Sequence, residues 1–191
     1  LEEPWIVRSS SRQEDQGASS NAGAFLSEQN VTRKGLRASI ERVIASYGAP
    51  NADDEVLVQP MLRNVVRSGV ALSHDPNSGA PYRIINWADG TDTNIVTGGR
   101  GGNTWQQAAD SKVAPPPHLA RVVALLDELL GLFDQTPIDC EFAVTQEGAS
   151  EVLWLLQARP LVLRHETQSA EQQRVRLERI DYKIARGMSS H

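Results

Sequence analysis

The clearest hydrophobic pattern of the chain lies between residues 138 and 163. Apolar and polar residues alternate over 138–144, a polar run containing a glycine follows at 146–149, and an apolar run resumes over 152–156. Period-two alternation is typical of a β-strand, and two such runs around a glycine-containing turn predict a β-hairpin. We therefore expect an antiparallel pair of strands here.

A different spacing of apolar residues predicts three helices. Leucine, isoleucine and valine recur every three or four residues over 36–47 and 118–133, and a thinner apolar seam runs through a charged stretch at 169–186. This spacing places the apolar side chains on one face of a helix. The first two helices are expected to pack on a core. The third carries only Leu177, Ile180 and Ile184 on its seam.

Short apolar runs bounded by turn residues predict further strands, which are residues 5–7, 55–61, 68–72, 82–87 and 94–97. The turn signal His74 to Gly79 separates two of these runs and predicts a second hairpin. The order of elements is strand, loop, helix, several antiparallel strands, helix, hairpin and helix. This order indicates an α+β fold rather than repeated βαβ units.

Composition limits the function classes. The 191 residues carry a formal net charge of −5, so no basic excess is present to neutralise a nucleic acid. A single cysteine, Cys140, excludes an internal disulfide and is compatible with a reducing, cytoplasmic setting. No run of about 18 apolar residues indicates a membrane span, and the first residues do not resemble a signal peptide. Because the chain begins with Leu1, we expect it to be a fragment or an excised domain.

The predicted hairpin also carries the best candidate chemistry. Alternation places Asp139 and Glu141 on one face of the first strand, and Gln157 and Arg159 on one face of the second. Carboxylate and amide oxygens suit Mg²⁺, which usually completes its coordination with substrate phosphates, and a guanidinium suits phosphate. The alternative interpretation is a surface hairpin whose charges are simply solvated.

Two loops and one strand end offer weaker candidates. Arg8 opens a loop rich in serine and glycine over 9–23, and four glycines surround Arg100 over 98–102. Such loops can bring backbone amides close to an anion, but either one could be a flexible linker. The segment Gln59 to Met61 ends a strand and could present its backbone to an adenine, or could simply terminate an edge strand.

Three blocks of the chain together resemble one protein family. The blocks are Trp5 to Phe25 with its WIVRSSS opening, Val56 to Gly79 with VLVQPM, SGVA and DP, and Asp139 to Leu161 with DCEF and LQARPL. In this order they resemble the nucleotide-binding domain of phosphoenolpyruvate synthase and pyruvate phosphate dikinase. The resemblance implies an ATP-grasp-like fold that binds Mg·ATP, built on antiparallel sheets with flanking helices.

The resemblance also implies roles for individual residues. As the catalytic residues, Arg8 would contact the transferred phosphates and Arg159 would flank the same site, while Glu141 and Gln157 would hold Mg²⁺. Asp139 would flank the same site, and adenine would lie against Gln59, Pro60 and Met61. Catalysis would then consist of positioning and charge neutralisation.

The resemblance is incomplete. The family's phosphate-binding lysine belongs to an N-terminal lobe that would precede Leu1, and the only lysines here, Lys34, Lys112 and Lys183, lie in none of the matching blocks. We therefore expect residues 1–165 to be a partial ATP-grasp nucleotide-binding domain and 166–191 a charged helical extension.

The parent protein would be an ATP-dependent phosphotransferase that passes a phosphoryl group toward a histidine on another domain. Its implied partners are ATP, the missing lobe and a phosphohistidine-type domain; the oligomeric state is open. The alternative is a catalytically incomplete binding or interaction module on the same fold, and for the isolated chain we expect no turnover.

Overall fold

A computed structural model describes residues 2–10, 26–48, 53–90, 102–163 and 169–188. The chain divides into two compact units, Leu1–Arg63 and Asn64–His191. Both combine antiparallel sheets with helices, so the α+β class with antiparallel sheets and flanking helices is confirmed. None of the described helices is both long enough and apolar enough to cross a bilayer.

The first unit is a three-stranded sheet covered by one helix. Strands β1 (Trp5–Ser10), β2 (Ser27–Val31) and β3 (Glu55–Pro60) are ordered β2-β1-β3, and helix α1 spans Leu36–Ser46. Alternation along β1 buries Trp5 and Val7 against α1, which contributes Val43 and the following Tyr47. The opposite face of the sheet therefore carries Ile6 and Arg8.

The second unit is a five-stranded antiparallel sheet with one helix packed on its apolar face. Its strands are β4 (Val65–Leu72), β5 (Tyr82–Asp89), β6 (Asn103–Ala108), β7 (Ile138–Glu147) and β8 (Ser150–Pro160), in the order β6-β5-β4-β7-β8. Helix α2 (Ala120–Leu132) buries Val122, Leu126 and Leu129 against this sheet. Helix α3 spans Ala170–Met188.

Close packing at one glycine holds β4 against its neighbours. A Cβ added to Gly69 would lie 2.3 Å from the Asn86 carbonyl oxygen and 2.7 Å from Cζ of Phe142. The ring of Phe142 is fully buried in the core beneath α2. Only glycine lets the ring and the neighbouring strand approach this closely.

The helices predicted from the sequence are present, with two differences in packing. On α1 the buried face includes Ser39, whereas Ile44, one of the apolar residues whose spacing predicts this helix, is 41% exposed. On α3 the expected apolar seam is exposed, whereas Gln173 is buried. A capping box begins this helix, because Ser169 and Gln172 each donate a backbone N–H to the other's side chain.

Two edge strands were not predicted. Strand β2 has Val31 as its one apolar residue, and β6 has Trp105 as its one large apolar residue, so both lack the apolar alternation of a half-buried strand. They form because β1 and β5 offer an unpaired edge for backbone hydrogen bonding. Strand β1 also continues through Ser10, three residues beyond its predicted end. The predicted strand 94–97, residues 98–101 of the glycine-rich loop and residues 11–23 of the serine-rich loop lie outside the described residues.

Candidate functional site

The hairpin β7–β8 brings the four predicted polar residues together in two directly paired rows. Asp139 lies opposite Arg159, and Glu141 lies opposite Gln157. Directly opposite residues of an antiparallel pair project to the same face, so all four side chains lie on one face of the sheet. The predicted juxtaposition is therefore present in the structure.

The other face of β7 explains why this register is fixed. Ile138, Cys140 and Phe142 are at most 1% exposed and belong to the core beneath α2. A shift by one residue would bury Asp139 and Glu141 in that core. The hydrophobic residues thus force the two carboxylates onto the face opposite α2.

The start of β7 is anchored by a pair of hydrogen bonds to the end of β4. The Ile138 amide donates to Ser73 Oγ at 2.9 Å, and the Ser73 amide donates to the Ile138 carbonyl at 3.0 Å. Ser73 is 2% exposed. The backbone that carries Asp139 is therefore held from both sides, by β4 and by β8.

Asp139 and Arg159 form a bidentate ion pair. Arg159 Nε donates to Asp139 Oδ1 at 2.8 Å, and Nη2 donates to Oδ2 at 3.0 Å. The side chain of Arg159 is only 23% exposed and that of Asp139 only 16%, so this pair is better shielded from solvent than an ordinary surface ion pair. Two parallel hydrogen bonds fix the plane of the guanidinium. Asp139 consequently orients Arg159 on this face.

Glu141 is arranged differently. Its side chain is partly buried, and among the described residues it makes no side-chain hydrogen bond. The carboxylate nevertheless acts on its neighbours electrostatically. Burial, followed by the negative charges of Asp139 and Glu141, raises the pKa of the Cys140 thiol to about 12. Glu141 therefore places a carboxylate beside the side-chain amide of Gln157.

A bulge sits immediately beside this pair. Glu141 pairs with Gln157, but Phe142 pairs with Leu155, so Leu156 has no partner on β7. The extra residue shifts the alternation of side chains along β8 by one position. Trp154 therefore lies on the same face as Gln157. There the Trp154 indole N–H donates to Thr145 Oγ1 at 2.9 Å. Bulges of this kind commonly re-aim side chains next to binding sites.

Mg²⁺ fits the oxygen atoms on this face. Within the described residues, no cluster of three or more His, Cys, Asp or Glu side chains could hold a metal. The oxygen donors are the carboxylate of Glu141 and the amide carbonyl of Gln157, because the carboxylate of Asp139 is bound to Arg159. Such a donor set suits Mg²⁺, which keeps several ligand positions for water and phosphate oxygens.

The remaining predicted residues lie in the first unit. Arg8 pairs with Leu57 and Gln59 pairs with Ile6, so Arg8 and Gln59 share the sheet face opposite α1. Pro60 pairs with Trp5 at the end of the edge strand β3. The Met61 amide donates to the Pro4 carbonyl at 2.9 Å and is therefore already used within this unit.

One residue on the face of Glu141 was not singled out from the sequence. Ser68 of β4 is 4% exposed, and its Oγ has no hydrogen-bond partner in the described part of the chain. Its position near Glu141 follows from the pairing register of β4 and β7, which local sequence does not show. Ser68 sits two residues before Val70, which lies directly opposite Glu141.

Comparisons with known proteins add little. No protein-family model matches the chain, and no curated protein matches it. Among solved structures, the chain is similar to a D-alanine-D-alanine ligase from Helicobacter pylori, with 15% identity and a TM-score of 0.43. The similarity covers 84% of this chain and 43% of the ligase, so the chain spans less than half of that protein's length. A likeness this weak carries no argument about function.

Proposed function

We propose that this chain is an ATP-grasp-like domain that binds Mg·ATP through the polar face of β7 and β8. The observation that carries the proposal is the register of the hairpin, which pairs Glu141 with Gln157 and Asp139 with Arg159 on one face. The same residues carry the resemblance to the nucleotide-binding domain of phosphoenolpyruvate synthase and pyruvate phosphate dikinase.

In this proposal each residue has a separate task. Glu141 and Gln157 hold Mg²⁺, which when bound would neutralise the charge of the phosphates. Arg159 places its guanidinium against a phosphate oxygen, in the plane that Asp139 sets through two hydrogen bonds. Neutralisation and orientation of this kind provide most of the catalysis in phosphoryl transfer.

The resemblance also bears on residues of the first unit. Arg8 matches the arginine that contacts the transferred phosphates in that family, and the segment from Gln59 to Met61 matches the segment against which adenine lies. Because the Met61 amide is used by Pro4, adenine recognition here relies on other backbone groups of the segment. The parent protein would then pass the phosphoryl group toward a histidine on another domain.

Binding of ATP to the chain, measured by calorimetry with Mg²⁺ and again with EDTA, tests the proposal. We expect the affinity to be higher with Mg²⁺, and Glu141→Ala to weaken the Mg²⁺-dependent affinity at least about tenfold, since even groups behind a metal ligand contribute this much. Glu147→Ala is the matched control, because it removes the same charge from the exposed end of the same strand. Equal affinities with Mg²⁺ and EDTA would refute the proposal.

A second candidate is a catalytically incomplete binding or interaction module on the same fold. The exposed seam of α3 favours it, because Leu177, Ile180 and Ile184 are 42–54% exposed. This candidate predicts ATP hydrolysis and ATP/AMP exchange at background level in a folded chain. Clear turnover that Arg159→Ala abolishes would rule it out.

A further inference from the structure

Ser68 carries a buried hydroxyl for which the fold offers no use. Its side chain is 4% exposed, and in the described part of the chain no group is within hydrogen-bonding geometry of Oγ. Buried hydroxyl groups are nearly always hydrogen-bonded, because an unpaired one loses its bonds to water without replacement. An unpaired buried hydroxyl therefore suggests a role beyond stability.

The position of Ser68 on the sheet indicates that role. Val70 lies directly opposite Glu141, and Ser68 is two residues from Val70 on the same strand. Ser68 and Glu141 therefore project to the same face as diagonal neighbours, a separation of about 7–8 Å between Cα atoms. The residue directly opposite Ser68 is Ala143, whose side chain is a single methyl group.

The Glu141 side chain can close this separation. It has two methylene groups between the backbone and the carboxylate, and it makes no side-chain hydrogen bond to another described residue. A carboxylate that binds a metal through one oxygen usually accepts a hydrogen bond on the other, and this second bond fixes its orientation. Ser68 is placed to supply it.

We propose that Ser68 is a positioning residue for Glu141, donating its Oγ–H to one oxygen of the carboxylate that would hold Mg²⁺. This inference rests on the proposed function. The burial of Ser68 agrees with it, because a group that acts through Glu141 needs no access to the nucleotide. The hydroxyl also gains a charged acceptor, which makes a stronger hydrogen bond than a neutral one.

Ser68→Ala in the full chain gives a two-part test. The ATP affinity with Mg²⁺ should fall about tenfold, as for other groups that orient a metal ligand, while the affinity in EDTA stays unchanged. The melting temperature without ligand should stay the same or rise, because the variant removes an unpaired buried hydroxyl. Loss of a merely structural serine would instead lower the melting temperature and leave the Mg²⁺ dependence intact.

A double-mutant cycle with Glu141→Gln then shows whether Ser68 acts through Glu141. In the Glu141→Gln background, Ser68→Ala should cause no further loss of Mg²⁺-dependent affinity. Independent, additive losses would overturn the inference, and so would a Ser68→Ala variant with unchanged Mg²⁺ dependence. If the unmodified chain shows no Mg²⁺ dependence at all, the proposed function fails, and the inference fails with it. If Glu141→Ala weakens binding and Ser68→Ala does not, only the inference fails.

Discussion

Replacing Gly69 by alanine should destabilise the second unit strongly. The new Cβ would lie 2.3 Å from the Asn86 carbonyl oxygen and 2.7 and 2.9 Å from two carbons of the Phe142 ring. The carbonyl belongs to β5, which is paired to β4 along its length, so it cannot move without disturbing the ladder. Overpacking a core typically costs about 1–3 kcal/mol, and a backbone obstacle places this case at the upper end.

A smaller opposing effect reduces the expected loss. Alanine restricts the unfolded chain more than glycine does, which favours folding by about 0.4–1 kcal/mol. The net destabilisation should therefore be about 2–2.6 kcal/mol. For a unit of this size, that corresponds to a fall in melting temperature of about 9 °C.

Urea denaturation followed by tryptophan fluorescence measures this change, since Trp87, Trp105 and Trp154 all lie in the second unit. Gly131→Ala is the matched control, because Gly131 lies in α2 with nothing within 4 Å of the added Cβ. That variant should gain up to about 1 kcal/mol, as alanine does in a helix. A Gly69→Ala variant as stable as the unmodified chain would refute the close packing of β4 on Phe142.

Three further predictions concern ion pairs and the cysteine. Asp139→Ala should lower the free energy of unfolding by about 2 kcal/mol in urea titrations, because it leaves the shielded Arg159 without its carboxylate; a loss below experimental error would contradict the bidentate pair. Hydrogen bonds from Arg42 and Ser39 lower the pKa of Glu28 from 4.5 to about 2. Since the folded pKa is the lower one, the stabilisation is complete above pH 4.5 and disappears as the pH falls toward 2. The melting-temperature advantage over Glu28→Gln should shrink across this interval, and a constant advantage would argue against the pair. Because burial raises the pKa of the Cys140 thiol to about 12, a thiol reagent at pH 8 should label Cys140 only after urea unfolding, and rapid labelling of the folded chain would show that β7 is not buried.

The sequence predicts those parts of the fold in which hydrophobic periodicity is strong. The hairpin β7–β8 and the helices α1 and α2 carry their own patterns, because each buries one face in a core. Strands β2 and β6 carry no such pattern, since their stability comes from pairing with a neighbour. Edge strands of polar residues are for this reason difficult to predict from local sequence.

The candidate site is likewise only partly predictable from the sequence. Alternation along β7 predicts that Asp139 and Glu141 share a face, and their distance from each other is set by the strand itself. The alternation on β8 breaks at Leu156, so the position of Trp154 beside Gln157 follows only from the bulge. Ser68 is 73 positions before Glu141 in the sequence, and only the pairing of β4 with β7 brings the two together.

The central claim is that a magnesium–nucleotide complex binds on the face of Glu141 and Gln157. Paramagnetic Mn²⁺ in place of Mg²⁺ tests it directly, because it broadens the NMR signals of nuclei close to the metal. With Mn·ATP, the amide signals of Glu141 and Gln157 should broaden first, while those of Leu126 and Leu129 on α2, across the sheet, stay sharp. Equal broadening on both faces of the sheet, or broadening that Glu141→Ala does not reduce, would contradict the account.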